Sequence, residues 1–327
     1  MRPIRRILVA IKDPEARSVP ALHKAAQLAR ALGARLELFH ALSTPIYANS
    51  DQGFLEVCTQ DEQFALRRLQ RLADGLKGRG RQRPLRVSVA VQWDTPAYEA
   101  IIRHAVASKA DLIVAERHRG LHFAPAVLHF NDWELLRQSP VPVLLVKRTG
   151  RYERPVVLAA VDPTHSLDKP AQLDEIILDT STAIAAALHG QLHSVHAYVP
   201  LTGGERPTQP LDAETAANLN RKREASARHQ YERLLNGYRI ARGHRHLLNL
   251  PPSEAIQTVA ATTHADIVTL GAISRSGWQR LLIGNTAEDL LDPLRCDLLV
   301  VKPAQFKARV PRRPVGARFV PALAISP

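Results

Sequence analysis

Three stretches of the 327-residue chain combine residue types and spacings suited to holding a phosphate ester, and all three lie beyond residue 160. The first is the loop Gly271-Ala272-Ile273-Ser274-Arg275-Ser276-Gly277. Glycine allows close approach of the backbone to a ligand, successive amides can form an anion nest, and Arg275 can add a charged contact. The second is Gly284-Asn285-Thr286, at the start of a predicted helix, where free N–H groups and the positive end of the dipole favour phosphate. Capping alone competes with that reading, because Asn285 is a good N-cap and Glu288 stands three residues later. The third is Asp162, directly after the apolar run Val156–Val161. Its carboxylate can accept from a ribose hydroxyl or a base amino group, and Asp162-Pro163 equally starts a turn.

Other chemistry has less support. His193 and His196 fall on opposite faces of a predicted strand, which makes them a poor metal pair. His244 and His246 share a face, but no cysteine or carboxylate stands near them at ligand spacing, so no metal site is assigned. Neither a nucleophile elbow nor a phosphate-loop lysine motif is present. No general base is placed beside the candidate phosphate positions. No catalytic residue is therefore assigned, and ATP hydrolysis is at most a weak side activity.

The elements that position these residues occur twice. Pro96 answers Pro251, Asp111 answers Asp266 and Val143 answers Leu298, each at an offset of 155 residues. Near the starts, Ile7–Ile11 answers Val157–Val161 at 150. The first copy reads as strands over 5–11, 35–41, 85–92, 111–115 and 142–147, with helices over 19–32, 60–78, 96–108 and 131–138. The second reads as strands over 156–161, 191–198, 244–249, 266–270 and 297–302, with helices over 171–188, 213–236, 252–263 and 286–293. Short strands that are apolar on both faces, alternating with helical patterns, predict a parallel sheet covered on two sides. The fold class expected is α/β, with two doubly wound, Rossmann-like domains in tandem. Their expected bounds are 1–150 and 151–303, followed by a basic tail over 304–327 rich in proline and expected to be disordered.

Composition sets outer limits. A formal net charge of +13 favours loose contact with polyanions, yet no nucleic-acid reader motif accompanies it. Two cysteines far apart, Cys58 and Cys296, fit a reducing cytoplasm rather than a disulfide framework. No apolar run is long enough to span a membrane.

The spacing Gly271, Ser274, Gly284, Asn285 resembles the signature of the universal stress protein family: glycine, two residues, glycine, nine residues, then glycine with serine or threonine. The start Val157-Leu158-Ala159-Ala160-Val161-Asp162 and the ending Asp297-Leu298-Leu299-Val300-Val301-Lys302 resemble that family's first and last strands. The tandem order and the run Leu282–Glu288 are similar to its E subgroup. The resemblance spans residues 3–303. It implies five-stranded domains of the adenine-nucleotide alpha-hydrolase-like type, a cytoplasmic location and a stress-response role. It also implies ATP, with Mg2+, as ligand in those members that keep the motif. Carried over by position, Asp162 would lie near adenine or ribose. Gly271, Ser274, Arg275 and Gly277 would line the ribose-phosphate side, and Gly284, Asn285 and Thr286 would meet the phosphates. Ser274 and Asn285 depart from the signature. The first copy departs further: its loop reads Ala115-Glu116-Arg117-His118-Arg119-Gly120, and Lys12 takes the place of Asp162. Nucleotide is therefore expected in the second copy only. The resemblance also implies that the final strands pair the two copies as a pseudo-dimer, with a further homodimer as an extension. The main alternative is a ligand-free interaction scaffold with a decayed site; its protein partners are not identified by the sequence.

Overall fold

Runs such as Ile7-Leu8-Val9 and Leu298-Leu299-Val300-Val301 are buried at every position, so neither face of these strands can meet water. That requires a parallel sheet with helices on both sides. The computed structural model describes residues 3–42, 52–76, 84–117, 129–164, 172–199, 213–272, 289–308, 310, 311 and 313. They divide into two units, one built on Pro3–Val146 and the other on Lys147–Phe306.

The first unit contains β1 (Arg6–Ala10), α1 (Pro20–Leu32), β2 (Arg35–Leu42), α2 (Gln52–Gly75), β3 (Val87–Trp93), α3 (Ala97–Ala107), β4 (Leu112–Glu116), α4 (His129–Gln138) and β5 (Val143–Val146). Its strands run parallel in the order β3-β2-β1-β4-β5. The second unit contains β6 (Val156–Ala160), α5 (Leu173–Ala187), β7 (Gln191–Ala197), α6 (Ala213–Leu235), β8 (Arg245–Leu248), α7 (Pro252–Thr262), β9 (Ile267–Gly271) and β10 (Asp297–Val301). Its order is β10-β9-β6-β7-β8. In each unit the chain builds outward from its first strand and then crosses to the other side. The switch point lies between β1 and β4 in one unit and between β6 and β9 in the other.

One difference from the sequence reading has a simple cause. Helix α2 begins at Gln52 rather than at 60, because the apolar stripe continues backward to Cys58, which is buried. Helix α5 begins a full turn before α1 does. The helix ends fix that comparison: Ala34 N–H bonds to the Ala29 carbonyl and Gly190 N–H to that of Ala185, each at 2.8 Å. Counted back from there, Leu173 answers Arg17 and Ile177 answers Ala21. The helix expected over 286–293 is described only from Asp289, and it is helical to Leu291.

Part of the stretch expected to be disordered has a defined place. The described residues 307, 308, 310, 311 and 313 group with the first unit, and Arg103 donates to the Pro311 carbonyl at 3.2 Å. Arg103 is otherwise held by Asp94, at 2.7 Å, and by Glu99, at 2.8 Å. Residues 314–327 lie outside the described residues.

Candidate functional site

The switch point of the second unit brings together the two described members of the expected site. Strand β6 pairs with β9 in the register Ala159↔Thr269. Extending that register sets Gly271 beside Val161 and Ala272 beside Asp162, at the carboxyl ends of the strands. Ligands of open α/β sheets bind at such a point. The sequence could supply the two loops, and only the strand order makes them neighbours. Ser274, Arg275, Gly277, Gly284, Asn285 and Thr286 lie outside the described residues.

Asp162 is oriented from several sides. Its N–H donates to the Asp174 carboxylate at 3.0 Å, and its own Oδ1 accepts from the Thr164 hydroxyl at 2.9 Å. A turn follows at residues 163 and 164, as Asp162-Pro163 suggested. His196 Nδ1 stands 3.2 Å from the Val161 carbonyl and 3.9 Å from Asp162 Oδ1. The first unit repeats this histidine: His40 Nδ1 lies 2.7 Å from the carbonyl of Ile11, the counterpart of Val161. Burial is the main reason that the His40 imidazole is held below its usual range. Sequence reasoning treated His196 only as a metal ligand and missed this contact. The histidine shared by the two repeats was the signal available.

Gly271 corrects an expectation. Its glycine was read as room for a ligand. Among the described glycines only Gly33 and Gly150 have positive φ, so backbone freedom is not the reason for glycine here. A Cβ at Gly271 would lie 2.6 Å from Leu173 Cδ2 and 3.2 Å from Ile177 Cδ1. Close packing of α5 therefore demands glycine, and the extra first turn of α5 supplies Leu173. The Ala272 N–H is bonded to the Val301 carbonyl at 3.0 Å.

The first unit places different chemistry at the same point. Lys12 stands where Asp162 does, and Glu116 where Gly271 does. Burial lowers the affinity of the Lys12 amine for its proton, and the charges of Asp132, on α4, and Glu116 oppose that effect. Cation and carboxylates together neutralise one another where the second unit has an acid and a glycine.

His193 and His196 have separate partners, as their expected placement on opposite faces implies, and His193 meets His244 and His246 on β8 and the turn before it. Its ring stacks on His244 at 3.9 Å between centroids and 14° between planes. Its Nδ1 meets His246 Nε2 at 3.0 Å, with the ring planes 8° from parallel. Two imidazole nitrogens at that distance share a proton. A zinc ion between them, with bonds of about 2.0–2.1 Å, would hold the nitrogens further apart. Among the described residues no group of three or more His, Cys, Asp or Glu is arranged to hold a metal ion. Burial, followed by the neighbouring His244 and His246, lowers the His193 pKa to about 4.

Comparison with known proteins agrees with this architecture. The model of a family described as "Universal stress protein family" matches residues 3–147 and again 155–302. A curated relative named "Universal stress protein E", from Salmonella typhi, is 28% identical over 317 residues, covering 93% of this chain and 96% of that protein. A "Universal stress protein E homolog" from Haemophilus influenzae is 30% identical over 228 residues, 66% of this chain and 69% of its own. A solved structure described as a putative universal stress protein from Pseudomonas aeruginosa UCBPP-PA14 aligns with a TM-score of 0.67 at 26% identity, over 92% of this chain and 94% of that one. Among the described residues no helix is long and apolar enough to cross a membrane.

Proposed function

This chain belongs to the universal stress protein family, and from that premise we propose that it serves the stress response by binding an adenine nucleotide in its second unit, in a regulatory rather than a catalytic role. The observation that carries the proposal is the placement of Asp162 and Gly271 at the carboxyl ends of the paired strands β6 and β9, at the switch point. In this reading Asp162, held by Asp174 and Thr164, accepts from the ribose or adenine. Ser274, Arg275 and Gly277 follow along the sugar-phosphate side. Gly284, Asn285 and Thr286 face the phosphates, where ATP would bring Mg2+ with it. The Asn285 amide can donate to phosphate in place of a hydroxyl. In the first unit the Lys12, Glu116 and Asp132 cluster stands in the corresponding place, so nucleotide binding is assigned to the second unit alone.

A titration of Mg-ATP into the dialysed full-length protein, followed by calorimetry, tests this reading. Saturable heat is expected, weakened about tenfold by Asp162→Ala, in line with the loss of one charged hydrogen bond. No heat above that of a Gly284→Arg control would overturn it.

A ligand-free scaffold is the second reading, and one observation favours it. Leu173 and Ile177 already fill the side of Gly271 that a Cβ would occupy. The same titration separates the two, since a scaffold gives no heat.

A further inference from the structure

The amino ends of the strands in the first unit carry a second candidate site, remote from the switch point. Here the parallel registers Arg6↔Arg35, Leu8↔Glu37 and Glu37↔Ser88 align three strands side by side. All five of these side chains project from one face, the face packed by α3. Together with Ser108, just past the end of α3, they line a cleft of about 250 Å³. That volume is below the range of drug-sized pockets and suits a small metabolite.

Charge in the cleft is arranged in rows. Arg6 and Arg35 form the outer row, and both are exposed. Arg5 and Arg86, also exposed, flank the same edge. The Asp111 carboxylate takes the backbone N–H groups of Arg5 and Arg6, at 2.8 and 2.9 Å, which fixes where those two side chains leave the chain. The Arg6 guanidinium donates to the Ser108 carbonyl at 2.7 Å and so lies against the cleft wall. Glu37 sits one row further in, a distance of about 6–7 Å along the strands. A hydrogen bond with His104, at 3.0 Å, holds the Glu37 carboxyl below its usual range against the opposing effect of burial, with Ser108 and Arg6 adding to the effect. An inner anion behind an outer row of guanidinium groups would repel a bare anion. It would favour a molecule whose anionic group stays outside while its hydroxyl groups donate inward.

The second unit supplies an internal comparison. There Pro155, Val156 and Gln191 replace Arg5, Arg6 and Arg35. The registers Ile7↔Leu36 and Val157↔Leu192 make His193 the counterpart of Glu37. The pairing Ser194↔Arg245 then makes His244 the counterpart of Ser88. Those two imidazoles stack at 3.9 Å and fill the corresponding space. The same backbone is plugged in one copy, and in the other it is left open with a basic rim.

We infer that this cleft of the first unit binds a small polyhydroxylated phosphate monoester. Arg6 and Arg35 grip the phosphate with their forked N–H groups, and Glu37 accepts from a hydroxyl. Ser88 and Ser108 supply hydroxyls that can donate or accept. This site does not depend on the nucleotide reading, and neither its residues nor its ligand overlap with those at Asp162.

Calorimetric titration of the full-length protein with glycerol 3-phosphate and with D-glucose 6-phosphate tests the inference. Saturable binding of at least one is expected, about tenfold tighter than inorganic phosphate under the same buffer and salt. Arg35→Ala, at an exposed position, weakens binding about tenfold without changing the melting temperature. Glu37→Gln narrows the preference over inorganic phosphate. The double substitution Glu37→His with Ser88→His transplants the plug of the second unit; it abolishes binding while circular dichroism reports an unchanged fold. Absence of saturable binding for both esters would overturn the inference. So would binding that survives both Arg35→Ala and the double substitution unchanged.

Discussion

The two units put one backbone to different uses at each end of the sheet. At the carboxyl ends, the second unit sets Asp162 and Gly271 on neighbouring strand ends and packs Leu173 onto the glycine. The first unit holds Lys12, Glu116 and Asp132 there instead. At the amino ends the second unit stacks His193 on His244, whereas the first leaves a cleft between Glu37 and Ser88. A repeated fold thus fixes where side chains meet but not what they do. Chemistry follows from substitutions in neighbouring strands that complement one another, as with two imidazoles against a carboxylate and a hydroxyl.

The largest expected difference between the units lies at the start of the last strand. Asp297 is fully buried and accepts from the Lys147 and Arg148 amides, at 2.8 and 3.1 Å, and from the Tyr152 hydroxyl at 2.6 Å. Burial first, and then Asp297 itself, raise the Tyr152 pKa, which keeps the phenol protonated as a donor. Pro142 occupies the matching place in the first unit. Asp297→Ala leaves three donors unmatched and should cost about 3–5 kcal/mol in urea denaturation, against less than about 1 kcal/mol for Pro142→Ala. Equal losses would show that the linker anchor contributes nothing particular to the second unit.

Next in size is the packing of Gly271. Gly271→Ala drives a methyl into Leu173 and should cost about 1–3 kcal/mol. Adding Leu173→Ala should recover part of that loss, so the pair is less damaging than the sum of the singles. Glu116→Ala in the first unit should change stability by less than about 0.5 kcal/mol. Additive effects of Gly271→Ala and Leu173→Ala would remove the packing explanation for the glycine.

The smallest effect is the pH dependence that the histidine cluster gives the second unit. His193 has a pKa lowered from 6.5 to about 4, and that of His246 is also lowered. In the native state both imidazoles bind protons less readily than in the unfolded chain. Their contribution to stability is therefore complete above pH 6.5 and is lost as pH falls toward 4. A decline on the order of 1–2 kcal/mol across that window is expected, and His193→Phe should flatten it. A pH profile unchanged by His193→Phe would assign the acid sensitivity to other groups.

Much of the fold was legible in the sequence because buried parallel strands must be apolar on both faces, and that pattern survives without any partner. The repeat offset of 155 residues located both units for the same reason. The start of α2 was less legible, because it involves burying Cys58, whose carbonyl accepts from Trp93 far along the chain.

For the site, the sequence alone determined which residue types stand after each strand: Asp162 and Gly271 in one copy, Lys12 and Glu116 in the other. Only the tertiary structure decided which of them meet. It joined His193 to His244, gave Gly271 a packing role, and set Arg6, Arg35, Glu37 and Ser88 around one cleft. The physical reason is that strand order and register act across separations of 29 to 110 residues, as between Arg6 and Arg35 or Val157 and Ile267. Local pattern reports the face on which a side chain lies. It does not report the neighbour that the side chain finds there.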